Sequence, residues 1–471
     1  MSVAVVEKPA AEARIEPIER LEALCDPGSF RPLRSAVASR RAGDRAQPGD
    51  GVLAGAGMAA GRPIFCYSED PAFMGGSLGE EHAATIVRVM RLAGQAGAPV
   101  VGFIESGGAR LQEGHAALAG YGRIFRESVA LAQRVPQISI VTGVSAGGGS
   151  YAPALTDFVV MTERARMFLT GPRVVEEALG EQVSMEDLGG PDVHRRNGVC
   201  QLLAADEREG ARIARRLLGY LPAPIGSPPT RAEPIAAREN PAACVPGEPR
   251  RVYDIRDVVG ALVDGGESLE LGAGWARNMV TAFARIDGRP VGVIANQPWW
   301  LGGVIDAAAA EKGALFVAAC DRFRLPLVVL VDTPGFMPGR RQEEAGVIRH
   351  GASLLRAFAS ATVPKLTVVL RKAYGGAVIT MNSKELGADM VFAWPGAEIG
   401  IMAASQAVGI AERRRLAEAR DPGLRESLAA SYAAEHLTAE AAAASGFVDE
   451  VIEPGDTHDR LAWALATLER Q

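Results

Sequence analysis

The sequence predicts an α/β protein made of two similar, parallel-rich layers in tandem. Three observations carry that prediction. Apolar runs of strand length alternate with stretches of helical spacing, as in parallel sheets covered by helices. The order of these runs in the first half returns in the second. A strand that ends in paired glycines and opens a helix occurs twice, within residues 137–171 and 363–405. With 471 residues, 48% of them hydrophobic, the chain is long enough for two cores.

Residues 1–14 are rich in Ala and Glu and are expected to fray. Arg14 to Leu24 has helical spacing (Ile15, Ile18, Leu21, Leu24) and is stopped by Asp26-Pro27-Gly28-Ser29. Residues 40–51 read as an exposed loop. Gly51 to Gly55 and Gly61 to Tyr67 read as short strands joined by glycine turns. His82 to Gly97 is an amphipathic helix carrying Ile86, Val89, Met90, Leu92 and Ala93. Ala98-Pro99 leads into the strand Val100 to Ile104, which ends in Glu105-Ser106-Gly107-Gly108-Ala109-Arg110. A helix from about Ala116 to Arg134 follows, then the strand 137–142 and the first glycine pair.

Residues 222–251 are dense in proline and show no period, so they read as a linker, placed at 226–251. That sets a first domain at 1–225 and a second at 252–471. Val252 to Val263 and Ser268 to Gly274 lead into strands at 281–286 and 291–295. Their turn, Asp287-Gly288-Arg289-Pro290, echoes Ala60-Gly61-Arg62-Pro63. Ala308 to Phe323 is a helix, and Leu327 to Val331 a strand ending in Asp332-Thr333-Pro334-Gly335-Phe336. Val347 to Ala361 is a helix, followed by the strand Leu366 to Leu370, which breaks at Tyr374-Gly375-Gly376-Ala377. Gly107 to Gly147 spans 40 residues and so does Gly335 to Gly375, which argues for an internal duplication with a period near 230. The tail from about Arg413 is helical, with a strand-like break at 446–452.

Composition narrows the function. A net charge of −6 points away from nucleic acid and from anionic membrane surfaces. The amino-terminal residues lack the charged start and apolar core of a signal peptide, and no apolar run approaches membrane-spanning length. The five cysteines (Cys25, Cys66, Cys200, Cys244, Cys320) are far apart and odd in number, which suits small buried hydrophobes in a reducing cytosol. The six histidines stand singly, without the spacing of a metal site, so no metal is expected.

The glycine pairs carry the chemistry. A strand that opens a helix through paired glycines exposes backbone N–H groups around an anion-sized hole. Two such holes suggest a reaction with two developing negative charges. Gly143-Val144-Ser145-Ala146-Gly147 also matches G-x-S-x-G, which would make Ser145 a nucleophile served by His194, His350 or His436. The second copy, Lys372-Ala373-Tyr374-Gly375-Gly376-Ala377, has no serine there, so the shared feature is the glycine pair and the oxyanion-hole reading is favoured. Gly147 and Gly148, then Gly376 and Ala377, are the candidate donors. Ser106-Gly107-Gly108-Ala109 and Pro334-Gly335-Phe336 can each add an N–H, and two donors on one oxyanion contribute several kcal/mol in a dry site. Glycines that only permit tight turns are the competing explanation. Glu105, Glu113, Asp157 and Asp332 end or follow buried strands and are assigned to ion pairs and caps. No acid or base stands out.

Long, ordered stretches resemble one family: the carboxyltransferase (β) subunits of biotin-dependent acyl-CoA carboxylases, of the propionyl-CoA carboxylase type. They include Leu24 to Phe30, Phe73-Met74-Gly75-Gly76-Ser77-Leu78-Gly79-Glu80, Ser106 to Gly114, Tyr151 to Phe158, Thr170-Gly171-Pro172 and Leu188-Gly189-Gly190. In the second half they include Ala295 to Pro298, Glu311-Lys312, Asp332 to Gly339, Gln342-Glu343, Ile348 to Ala352, Val363 to Ala377, and Ala393 to Pro395 with Glu398-Ile399. The resemblance implies two tandem crotonase/ClpP-like domains, a duplicated ββα superhelix, assembled as a homohexamer. It implies an acyl-CoA on the first domain and carboxybiotin on the second, across a dimer interface. Gly147 and Gly148 would hold the thioester enolate, Gly376 and Ala377 the biotin ureido oxygen. Gly107, Gly108, Ala109, Arg110, Gly335, Phe336, Tyr374 and Gly375 would line the sites. Biotin itself would be the base, which suits a site without an obvious His or Glu.

The chain departs from the family pattern in places. Val144-Ser145 stand where Pro-Cys is frequent, and Gly149 where Ala is frequent. Val378-Ile379 stand where Tyr-Asp is frequent, so Ile379 is expected to line the acyl pocket and widen acyl tolerance. Thr85 and Arg88 mark a helix that keeps only part of the family's basic character, and the chain runs shorter than many members. It carries no Met-Lys-Met-like biotinylation site and no ATP-grasp domain, which implies a separate biotinylated α-type subunit in the cytoplasm. Decarboxylase or transcarboxylase subunit, serine hydrolase and silent scaffold are the alternative readings.

Overall fold

The structure is a computed structural model describing residues 14–237, 240–248, 251–418 and 421–468. The fraying expected of residues 1–14 falls outside them except at Arg14, which pairs with Glu105. The chain divides into two compact units, residues 1–191 with 203–216, and residues 192–202 with 217–471.

The first unit is one mixed sheet. Its strands are β1 (Arg31–Leu33), β2 (Val52–Ala59), β3 (Arg62–Glu69), β4 (Val100–Ser106), β5 (Gln137–Ala146), β6 (Phe158–Thr162), β7 (Arg166–Phe168) and β8 (Leu202–Ala204). They lie in the order β1-β2-β3-β4-β5-β6-β8, with β7 paired to the end of β5. β1, β2 and β3 pair antiparallel, and β3 to β6 parallel. All seven residues of β4 are buried, which explains its unbroken apolar run. Helix Glu80–Ala96 packs the buried face Ile86, Val89, Met90 and Ala93 and ends at Gly97, whose φ of 64° suits glycine.

The second unit repeats this topology. β9 (Ser268–Glu270), β10 (Met279–Ile286), β11 (Arg289–Asn296), β12 (Leu327–Thr333), β13 (Lys365–Tyr374), β14 (Met390–Ala393), β15 (Glu398–Gly400) and β16 (Glu450–Val451) lie in the order β16-β14-β13-β12-β11-β10-β9, with β15 on the end of β13. Phe65 faces Val100 in the first sheet and Gly292 faces Leu327 in the second, an offset of 227 at both partners. Gln137 faces Val100 and Lys365 faces Leu327, so β13 follows β5 at an offset of 228. Both β4–β5 and β12–β13 slip register at the same place, after Ile104 and after Val331. Duplication therefore extends to the irregularities.

The hairpin turns agree as well. Ala60-Gly61 and Asp287-Gly288 all have positive φ, near 50° at the first residue and 73–74° at the second, the demand of a tight hairpin. In each unit a carboxylate clamps the turn. Asp26 accepts from Ala60 and Gly61 N–H, and Asp264 from Asp287 and Gly288 N–H.

The proline-rich segment runs along the second unit. Ala232 N–H donates to Gly288 O at 2.9 Å, and Cys244 and Val245 pack on the second core. The second unit also takes in Asp192–Leu202, where Gly198 leaves no room for a Cβ beside the Trp275 ring. Val252 to Val263 forms helix Ile255–Leu262, capped by Asp254. The tail adds β16 beside β14 and puts Leu461, Ala464 and Leu465 into the same core.

Candidate active site

Each unit builds one hole from two adjacent stretches at the carboxyl ends of its central parallel strands. In the first unit β5 ends at Ala146, and Gly147 turns the chain with φ 58° and ψ −122°, outside the range of ordinary side chains. Gly147 N–H donates to Phe168 O at 3.1 Å, and Ser150 N–H to Gly147 O at 3.0 Å. The N–H groups of Gly148 and Gly149, at the start of helix Gly148–Ala154, have no acceptor among the described residues. A Cβ on Gly148 would fall 2.6 Å from the Tyr121 ring, so packing as well as backbone shape requires glycine there.

The second stretch follows β4. Gly107 N–H donates to Gly75 O at 3.0 Å and Gly108 N–H to Ser106 Oγ at 3.3 Å. Leu78 N–H donates to Gly108 O and Arg110 N–H to Leu78 O, a single bridge that leaves Ala109 N–H without an acceptor. Tyr121 Oη lies 3.1 Å from Ser106 Oγ, tying the helix that shapes Gly148 to the residue that shapes this loop.

The second unit repeats most of these bonds, except that Pro334, at the place of Gly107, has no N–H to give. Gly375, with φ 62° and ψ −147°, donates to Gly400 O at 2.9 Å. Val378 N–H donates to Gly375 O, leaving Gly376 and Ala377 N–H without acceptors among the described residues. Gly335 N–H donates to Thr333 Oγ1 at 3.2 Å, and Ile305 bridges Gly335 O and Met337 N–H, which frees Phe336 N–H. Gly335 thus matches Gly108 and not Gly107, because the extra residue of the second copy falls after Phe336 and before Lys365.

The expected site residues therefore separate by task. Ala109, Gly148, Gly376, Ala377 and Phe336 present free N–H groups. Gly107, Gly108, Gly147, Gly335 and Gly375 spend theirs on holding the loops. Arg110 is fully buried: its guanidinium reaches Asp50 Oδ1 at 2.6 Å, Glu113 Oε1 at 2.7 Å and Ser77 O at 3.0 Å, so it braces the loop from behind. Tyr374 Oη is hydrogen-bonded to Glu398, and burial with that carboxylate raises its pKa. Ile379 is half exposed on helix Gly376–Thr380. The sequence marks Gly149 only as a departure from the family pattern, and Ser106 and Thr333 only as members of their loops, although Ser106 and Thr333 occupy matching places in the repeat.

Ser145 is not arranged as a nucleophile. It is fully buried, and its Oγ donates to Gly149 O at 2.7 Å. No imidazole is hydrogen-bonded to it, and His194, His350 and His436 all belong to the second unit. Val144 and Lys372, on the strands leading to the holes, differ in charge; burial and the neighbouring Arg371 hold the Lys372 pKa below its usual value.

Behind each hole a carboxylate ends the central strand. Glu105 pairs with Arg20 at 3.1 Å and with Arg14, and Asp332 pairs with Arg371 at 3.1 Å and accepts from Tyr253 Oη at 2.9 Å. Burial raises the Asp332 pKa despite Arg371. Lys312 is buried and donates to three backbone carbonyls, of Gly272, Trp275 and Met279, with burial lowering its pKa to about 8. Among the described residues no group of three or more His, Cys, Asp and Glu is placed to hold a metal, and no helix is long and apolar enough to cross a membrane.

A duplicated sheet that ends in two N–H-lined holes is a kind of site whose backbone donors can hold an oxyanion. Residues 10–471 match the carboxyl transferase domain family, and the chain belongs to it. It is 43% identical over 99% of its length to the biotin-dependent acetyl-/propionyl-coenzyme A carboxylase beta5 subunit of Mycobacterium tuberculosis strain H37Rv, covering 89% of that protein. It is 44% identical over 98% of its length to the methylmalonyl-CoA decarboxylase subunit alpha of Veillonella parvula, covering 92% of it. A solved transcarboxylase 12S structure, described as a hexamer assembly with methylmalonyl-coenzyme A and methylmalonic acid bound, superposes with a TM-score of 0.93 at 44% identity, over 97% of this chain and 90% of that one. The fold is accordingly crotonase-like, and the chain is a carboxyltransferase of the biotin-dependent, CoA-thioester-using type.

Proposed function

We propose that this chain is the carboxyltransferase component of an acyl-CoA carboxylase, moving a carboxyl group from biotin on a separate chain to the α carbon of a short-chain acyl-CoA such as acetyl- or propionyl-CoA. The observation that carries the reading is the matched pair of N–H clusters, Ala109 with Gly148 and Phe336 with Gly376, each without an acceptor among the described residues while the flanking glycines are bonded. Biotin, when bound, supplies the carboxyl group and the base. The chain holds charge in place. Ala109 and Gly148 N–H take the enolate oxygen of the thioester, and Phe336, Gly376 and Ala377 N–H take the ureido oxygen. Each donor of this kind contributes about 2.7–4 kcal/mol to the transition state.

A biotinylated α-type subunit is the partner, and a homohexamer the assembly. The hexameric relative supports the second point. So does helix Pro172–Leu179, which buries none of its residues within the chain although Val174 and Leu179 are 50% and 75% exposed. Cytoplasmic placement fits the five free cysteines. Mass photometry showing only monomers at assay concentration would overturn the hexamer.

The test is incubation with methylmalonyl-CoA or malonyl-CoA and free biotin, read by mass spectrometry. Carboxyl exchange with biotin is the expected result. Loss of CO2 at the same rate without biotin would instead favour the second reading, a decarboxylase subunit, which the Veillonella relative supports at 44% identity.

A further inference from the structure

Two buried groups of the first unit take no part in the chemistry above. Glu69, the last residue of β3, is 4% exposed, and its Oε2 accepts Glu105 N–H at 2.8 Å. Its Oε1 lies 3.7 Å from His82 Nε2. His82 is fully buried on helix Glu80–Ala96, and neither ring nitrogen has a hydrogen-bond partner. Arg20 passes close by, but bonds the backbone carbonyl of Glu69 and the carboxylate of Glu105. Among the described residues the Glu69 carboxyl therefore has no cation in hydrogen-bond contact, and an unpaired buried carboxylate is strongly disfavoured.

The duplication shows what the position requires. At the 227 offset Glu69 corresponds to Asn296 and His82 to Ala309. Asn296 Oδ1 accepts Asp332 N–H at 3.3 Å, the same bond in the same place, made by a neutral amide.

We infer that Glu69 is a neutral carboxylic acid standing in for that amide, its carbonyl oxygen accepting Glu105 N–H and its hydroxyl donating to His82 Nε2, and that the pair positions the first hole. A shift of about 1 Å brings the two side chains to hydrogen-bond length. The link to the hole is short. Glu105 precedes Ser106, whose Oγ accepts Gly108 N–H next to the free Ala109 N–H. Burial raises the Glu69 carboxyl to about 8 and lowers the His82 imidazole to about 3, which agrees with a neutral pair at neutral pH. The groups facing the pair are Glu105 with its partner Arg14; Arg20, which also reaches Glu207; Tyr67 and Tyr121, whose own ionisation burial disfavours; and Arg110 with Asp50 on the His82 side.

The inference rests on the hole reading for its effect on rate, but its test has an arm that does not. Infrared difference spectra of the full chain, wild type minus Glu69→Gln, should show a protonated-carboxyl C=O band at pH 7 that fades above about pH 8. Absence of that band in folded protein overturns the inference whatever the activity. In the biotin exchange assay Glu69→Ala should lose about 10- to 100-fold in kcat with little change in KM. Glu69→Gln should restore most of that loss and lack the wild type's decline above pH 8. A Gln variant as damaged as Ala would also overturn it. If wild type shows no exchange, the functional reading fails, and the band still decides the protonation state.

Discussion

Glu105 and Asp332 occupy the same place, 227 residues apart, at the end of the central strand behind each hole. One is longer by a methylene, and the surroundings differ accordingly. In the first unit the strand beside Glu105 carries Gly143, and a Cβ there would run into the Glu105 carboxyl. The neutralising cation comes from elsewhere, as Arg20 on helix Pro17–Leu24. In the second unit the position of Gly143 is Arg371, which crosses to Asp332 and also bonds the carbonyls of Arg251 and Glu248. The shorter acid leaves room for an arginine within the sheet. The longer acid fills that room, and the cation is supplied from outside it. What both units preserve is a buried, paired carboxylate under the strand end that leads into the hole. How it is paired is free to vary.

Arg371→Ala breaks that arrangement most directly. It leaves Asp332 buried with only Tyr253 as a partner, and removing one member of such a pair costs about 3–5 kcal/mol. The second unit should unfold at lower denaturant concentration, measured by chemical denaturation followed by circular dichroism. A change below about 1 kcal/mol would mean that the carboxyl is protonated and needs no cation.

The holes themselves give the next largest effect. Gly148 and Gly376 are equivalent, yet an added Cβ meets the Tyr121 ring at 2.6 Å in one case and only the Phe336 ring edge at 4.0 Å in the other. Gly148→Ala must push either Tyr121 or the free N–H out of place, and we expect a loss of about 100-fold in kcat, the cost of one oxyanion donor. Gly376→Ala should keep its donor and lose far less. Steady-state rates of carboxyl exchange for the two variants test this, and equal losses would mean that the contact with Tyr121 does not decide the effect.

The pair of holes was legible in the sequence because glycine is demanded by backbone shape. Gly147 and Gly375 adopt conformations that few other residues can, so the requirement is written locally. Strand and helix order was legible for a similar reason, since β4 and β12 are buried on both faces and read as unbroken apolar runs. The division of labour inside the loops was not. Gly107 and Gly108 look alike in sequence, and only the bridge to Leu78 shows that Ala109 supplies the free donor. The equivalence of Glu69 with Asn296 was hidden too, because the residues share a hydrogen bond and not a chemical type. Composition put the boundary at the proline-rich segment, whereas the compact second unit takes up the chain from 217 onward. Proline density marks an irregular path, but residues 226–237 and 240–248 are seated on the second unit and do not bridge open space.

The smallest effect concerns Ile379. It and Tyr151 occupy equivalent places, one turn into the helix that follows each glycine pair, and both are about half exposed. Ile379 presents an apolar side chain three residues beyond the free Gly376 N–H, half exposed among the described residues. Where the acyl-CoA of one subunit meets the biotin hole of its partner, apolar surface beside that hole favours a longer or branched acyl chain by the transfer energy of the added carbons, about 1–3 kcal/mol per methylene-sized difference. Ile379→Asp replaces that surface with a charge that keeps its water. The ratio of kcat/KM for propionyl- over acetyl-CoA should fall by about 10-fold, while the hydrogen bonds that shape Gly375 and Gly335 stay as they are. An unchanged ratio would place the acyl chain elsewhere and leave Ile379 as part of an assembly surface.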